Sequence, residues 1–228
     1  MNFKKSIISF LTAGMLVFAS SANAENWAIG MSIYDASVDT TGTESTKGAG
    51  DAADSTSHSK DVTIPEFFVE YQYDNGAALG LTFIPETEMG AKSRTDTAGA
   101  TAGGGAENDT GTFTAKASIK SHVMMYLDYP VFSAYNQSLF VKLGGSVTTV
   151  DTEETLASGT NYGDDQVLGY AYGAGVKGDV WGTENVFYKA EYVHHEFDDL
   201  KFEANGSPQT ITADSEVDKL GISIGARF

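Results

Sequence analysis

The stretch Leu220-Gly221-Ile222-Ser223-Ile224-Gly225-Ala226-Arg227-Phe228 decides the fold. Leu220, Ile222, Ile224, Ala226 and Phe228 are apolar. Lys219, Gly221, Ser223, Gly225 and Arg227 between them are small or charged. A period of two places the sets on opposite faces of an extended strand. In a water-soluble sheet the apolar set would pack inward, leaving a glycine-rich surface. In a lipid-facing sheet the order reverses, and the small and charged set lines the interior. Glycine suits the second arrangement, because a narrow barrel has room only for packed side chains.

Working outward, seven further segments read as strands: roughly Asn26–Val38, Val62–Asp74, Ala77–Glu88, Phe113–Tyr129, Ser138–Val150, Gln166–Val180 and Asn185–Phe197, before Ser215–Phe228. Most alternate in the same way. Trp27, Ile29, Met31 and Ile33 oppose Ala28, Gly30, Ser32 and Tyr34. Leu168, Tyr170, Tyr172, Ala174 and Val176 oppose Gly169, Ala171, Gly173, Gly175 and Lys177. The connections sort by length. Asp39–Asp61, Met89–Thr112, Asp151–Asp165 and Asp198–Asp214 are long and polar. Asn75-Gly76, Pro130–Gln137 and Trp181–Glu184 are short. Asn-Gly is the dipeptide of a type I′ hairpin. Outer-membrane barrels have this strict alternation of long outer loops and short periplasmic turns. The expected fold is all-β: an eight-stranded antiparallel transmembrane β-barrel with long extracellular loops and short periplasmic turns.

Composition narrows the function. The chain has 228 residues, no Cys and a formal charge of −17. Without Cys there is no disulfide scaffold, thiolate metal site or cysteine nucleophile. The acidity argues against nucleic acid, whose phosphates need a basic face. Residues 1–24 have the parts of a secretory signal peptide: Lys4 and Lys5, an apolar middle, and a small-x-small cleavage site at Ala22 and Ala24. Residues 25–228 then form the barrel domain. The signal suggests a Gram-negative export route to periplasm, outer membrane or medium, and with the barrel pattern the expected location is the bacterial cell outer membrane. Trp27, Tyr73, Tyr129, Trp181 and Tyr188 fall near the expected periplasmic rim, as an interfacial aromatic girdle would.

The terminal Phe228, with Leu220, Ile222 and Ile224 upstream, resembles the C-terminal signal that outer-membrane barrels present to their assembly machinery. Together with Val186–His195 as a penultimate strand, it is similar to the small eight-stranded outer-membrane β-barrel superfamily, which includes outer membrane proteins X, W and the barrel part of A. The resemblance implies outer-membrane lipids, lipopolysaccharide and the barrel assembly machinery as partners, with a monomer favoured.

The expected lumen charges are Glu66, Glu70, Asp128, Asp179 and Glu191 with Lys116, Lys120, Lys142, Lys177, Lys189, Lys219 and Arg227. Mixed signs in a narrow bore predict a salt-bridged plug, with Arg227 and Glu191 as one pair. The expected role is a largely closed surface protein that supports envelope integrity or adhesion through acidic loops. The alternatives are a porin-like channel for small or hydrophobic solutes, as protein W would imply, and a lipid-modifying barrel enzyme. The loop carboxylates read as solvation first and as divalent-cation ligands second. Thr95–Gly111 is expected to be mobile. His58, His122, His194 and His195 give no assembled catalytic set: His58 sits in a loop, and His194 and His195 point to opposite faces. No enzyme activity, cofactor or metal is expected.

Overall fold

The computed structural model describes residues 26–46, 54–96, 111–154, 163–180, 183, 185–203 and 209–228. The signal segment, Trp181 and most of Thr95–Gly111 lie outside them. The strands are β1 (Trp27–Thr46), β2 (Asp54–Gln72), β3 (Ala78–Ile84), β4 (Thr87–Asp96), β5 (Gly111–Ala134), β6 (Gln137–Glu154), β7 (Gly163–Asp179), β8 (Val186–Phe197), β9 (Leu200–Glu203) and β10 (Gln209–Arg227). Eight of them close a ring in the order β1-β2-β3-β5-β6-β7-β8-β10, and β10 pairs back onto β1. All pairings are antiparallel. β4 continues the wall above β3 after Pro85 and pairs with β5, while β9 pairs with β10.

The apolar face points out. Ile29, Met31, Ile33, Leu139, Leu143, Leu220, Ile222 and Ile224 are half-exposed or more. Their alternates face a filled interior. Leu220 to Phe228 covers ~27 Å along the strand, or ~20 Å along the axis at a tilt of about 40°, close to a hydrocarbon-spanning band. Tyr34, Phe68, Tyr126 and Phe187 fill the bore by lying across glycines of neighbouring strands. A Cβ at Gly221, Gly30, Gly80 or Gly225 would fall inside those rings. The lumen glycines are therefore sites of close approach.

Three expectations are corrected. The long polar segments are not all loop. β1 runs to Thr46 and β2 begins at Asp54, so His58 is a strand residue opposite Thr40. Ser and Thr rows keep the ladder going where no apolar face marks it, as in the Thr41–Ser57 hydroxyl contact of 3.0 Å. At Asn75-Gly76 only Gly76 has positive φ (84°), and Gly76 N–H donates to the Tyr73 carbonyl at 2.8 Å. That is a three-residue hairpin with a left-handed glycine rather than type I′. The two-residue hairpin with both φ positive is at Tyr135 (52°) and Asn136 (60°), so β5 and β6 extend through most of the expected Pro130–Gln137 turn.

The rim aromatics divide. Tyr73 and Tyr129 are exposed. Trp27 is packed edge-on against Tyr71, with ring centroids 5.4 Å apart.

Candidate functional site: a charged plug below an apolar chamber

The periplasmic half of the lumen is a network of ions. β2 supplies Glu66 and Glu70, β5 Asp128, β6 Lys142, β7 Lys177, β8 Lys189 and Glu191, and β10 Lys219. Each lies on the inward set of its strand. Lys189 bonds Glu70 and, at 2.8 Å, Asp128. Lys177 reaches Glu70 at 3.1 Å, Lys142 reaches Glu191 at 2.6 Å, and Lys219 reaches Glu66 at 2.7 Å. Tyr126 donates to Glu70 at 2.6 Å, and Tyr34 donates to Glu191. Lys142 lies 4.3 Å from the Tyr126 ring centroid and Lys219 lies 4.4 Å from that of Tyr34. Four carboxylates thus meet four ammonium groups, and all but Lys177 are buried. Buried charge survives when paired, and each charge here has an opposite partner, although Asp128 Oδ1 and Glu191 Oε2 meet Lys142 as ion pairs without a hydrogen bond.

The plug ends at the periplasmic mouth. There Arg227 donates to Asp179 at 2.8 Å and to Gln72 at 2.7 Å. Arg227 therefore does not pair with Glu191, which is held by Lys142 and Tyr34. Lys116 and Lys120 also leave the expected set, for both are exposed and Lys120 bonds Asp164 at 2.8 Å. The cause is a register shift between Ile119 and Ser121. A bulge adds one residue and exchanges the faces beyond it. His122, Met124, Tyr126 and Asp128 point inward below the bulge, and Ile119 and Ala117 line the lumen above it.

Above the ions lies a short apolar layer of Met124, Tyr126, Ala171 and Val193. Next come two buried imidazoles. His122 Nδ1 and the Thr148 hydroxyl are 2.7 Å apart, and Ser146 and His195 Nε2 are 2.8 Å apart. The rings stand edge to face at 5.1 Å, and His195 stacks on Phe197 at 4.5 Å. His195 thus faces the lumen, while His194 points outward. On the outer rim His194 Nδ1 sits 2.7 Å from Asp218. That contact holds the His194 pKa above its ordinary value, against a smaller opposing effect of burial.

Above the imidazoles the lumen opens into a chamber of about 150 Å³. Val38, Ile119, Val150, Val167, Leu200, Phe202 and Val217 give it apolar walls. The sequence reading missed it. Its walls are made at the outer ends of expected strands, such as Val38, Val150 and Val217, together with Met89, Leu200, Phe202 and Ala213 from segments that looked like polar loop, and β9 alternates Leu200 and Phe202 over only four residues. That alternation was the available signal.

The wall beside the chamber has a seam. β2 pairs with β3 only over Phe67–Gln72, and β4 pairs with β5. Among the described residues no ladder joins the outer part of β2 to β4. Ile64, Ile84, Val62 and Met89 pack across the base of the seam, and Met89 also lines the chamber. Among the described residues no group of three or more His, Asp or Glu is placed to hold a metal.

No protein-family model matches the chain, and no curated relative matches it. Solved structures do. The outer membrane protein OprG from Pseudomonas aeruginosa aligns with a TM-score of 0.54 at 12% identity, over 90% of this chain and 97% of that one. Neisserial surface protein A aligns at 0.44 and 11% identity, over 86% and 97%. Ail, the attachment invasion locus protein of Yersinia pestis, aligns at 0.44 and 13%, over 89% and 99%. The likeness to OprG shows a shared fold. With the outward apolar belt and the closed ring of eight antiparallel strands, that fold is a transmembrane β-barrel.

Proposed function

We propose that this barrel takes small apolar solutes from the outer side into the chamber and releases them sideways, through the seam between β2 and β4, into the membrane. One observation carries the reading: an apolar chamber sits on the outer side of a lumen closed by ion pairs. An apolar solute gains by leaving water for the chamber, roughly 25 cal/mol for each Å² of its surface buried. It gains nothing by entering a network of buried charges, where it would break ion pairs. The axial path is thus closed to it, and the weakest wall is the one without a ladder. Met89 belongs to both the chamber and that wall.

The test uses vesicles holding the folded protein and a solvatochromic apolar dye added outside. Faster dye entry into the bilayer with the barrel than with empty vesicles is the expected result. The natural chain has no Cys, so Lys60→Cys with Gly90→Cys and a short thiol-reactive cross-linker ties the seam cleanly. Lys60 already approaches Gly90 closely. Tied barrels that deliver dye as fast as untied ones overturn the lateral route.

A second reading has its own support. Above the membrane β2, β1 and β10 continue as a sheet whose outer face carries Ser57, Thr41 and Asp214 in one row and Ser59, Asp39 and Glu216 in the next. Such a hydroxyl- and acid-rich face favours a surface role, in adhesion or in contact with lipopolysaccharide. Alanine at Thr41 and Ser57 with loss of host-surface attachment, but normal dye delivery, would assign that role to the sheet. Assembly of the barrel is proposed to use the Phe228 strand as its signal. The lipid-modifying enzyme is the least supported alternative.

A further inference from the structure

The chamber's polar atoms narrow what it takes. This step rests on the chamber being a solute site. Four residues that carry hydroxyls are among those lining it: Thr40, Thr148, Thr152 and Ser215. Three are satisfied locally. Thr40 and Ser215 bond each other at 3.1 Å, and Thr152 donates to the Gly163 carbonyl at 3.1 Å. The hydroxyl of Thr148 is bonded too, 2.7 Å from His122 Nδ1, but its partner is not a chamber-wall group: His122 lies beneath the wall, and its Nε2 is one of the buried side-chain atoms with no hydrogen-bond partner. A buried polar atom left unpaired costs about 1–3 kcal/mol, so such an atom in a native structure calls for a role.

We infer that the chamber takes a single-ring or comparably small apolar molecule bearing one neutral hydroxyl or carbonyl, and that Thr148, backed by His122, reads that group. Size follows from volume. A cavity of about 150 Å³ lined by aliphatic and aromatic side chains holds one benzene-sized molecule. Neutrality follows from charge, because among the described residues no lysine, arginine, aspartate or glutamate lines the chamber. Lys219, a cation of the plug below, is bound by Glu66 at 2.7 Å. A carboxylate head would therefore be buried without a counter-charge. A hydroxyl would not. The imidazole fixes the Thr148 hydroxyl on one side, and the oxygen keeps a further donor or acceptor site whichever tautomer His122 adopts. The imidazole's second nitrogen lets the pair change which of its two members donates.

The test follows the ¹³C methyl group of Met89 in the folded barrel in lipid bicelles, with phenol and toluene as probes. Met89 lines the chamber, Met124 is packed in the layer beneath it, and Met31 faces lipid. Met124 reports that each variant is folded, and Met31 reports partition into lipid. Both probes are expected to shift Met89. Thr148→Val should weaken phenol about threefold to tenfold, the worth of one hydrogen bond, and leave toluene unchanged. Thr148→Ser should restore phenol. If both probes shift Met89 and Thr148→Val leaves phenol unaffected, the head-group inference is wrong and the chamber reading stands. If neither probe moves Met89 while Met31 responds, the chamber takes no solute and both readings fall.

Discussion

Below Met124 the lumen holds Glu66, Glu70, Asp128 and Glu191 against four lysines. Above Thr148 it is bounded by Val150, Val167, Leu200 and Phe202. The same eight-stranded wall surrounds both. The lower half is full because each ion needs its partners in place and aromatic rings occupy the glycine gaps. The upper half is lined by apolar side chains that leave a space of about 150 Å³ between them. Ions rigidify a closed section, and an apolar lining encloses a space that water has little reason to fill. A narrow barrel can thus be shut along its axis and still have an interior to offer.

The largest expected effect breaks the lower half. Glu70→Ala removes the carboxylate shared by Lys177 and Lys189 and leaves buried charge uncompensated. Equilibrium urea unfolding in lipid vesicles should show a loss of about 3–5 kcal/mol, the usual cost of breaking a buried pair. The upper half should be more tolerant. Phe202→Ala, on a wall already facing space, should cost ~1–3 kcal/mol, below the well-packed Phe→Ala range. Ala213→Leu sharpens the contrast, because it fills the chamber from β10. Stability should change by under ~1 kcal/mol while toluene no longer shifts Met89.

The smallest effect lies outside the lumen. His194 on the outer rim should titrate above the ordinary histidine value near 6.5, because the Asp218 contact favours its cation. A raised folded pKa adds stability that is fully present below the unfolded pKa and is lost as pH rises through the folded one. Asp218→Asn should move the His194 midpoint down in an NMR titration. Asp218 is partly exposed, so the change in unfolding free energy should stay within about 1 kcal/mol.

The legible part of the molecule was the part with two unlike faces. Alternation in Leu220–Phe228 and Ala28–Tyr34 marks both the lipid side and the lumen side, so Glu66, Glu70, Lys142, Lys189 and Glu191 could be placed inside from sequence. Lys116 and Lys120 could not. A single bulge near Lys120 exchanges faces, and nothing in Ser118-Ile119-Lys120-Ser121 announces an extra residue. The outer strands were hidden for another reason. Above the membrane the outward face is polar, so the contrast fades, and Ser/Thr ladders look like loop. The part of the chamber wall made by Met89, Leu200, Phe202 and Ala213 was hidden with them. Partner choice was illegible throughout: Arg227 meets Asp179 rather than Glu191 because its side chain extends toward the mouth, where Gln72 receives its second bond.

Conductance of the mature protein in planar bilayers tests the closed lower half most directly, with a heat-modifiable gel shift to show that the barrel is folded. Folded barrels should be electrically silent across the whole voltage range, because Lys142, Lys189 and their carboxylates occupy the axial path. Discrete openings from folded wild-type protein would contradict the account, for they would mean that water and ions pass where the ion pairs are placed.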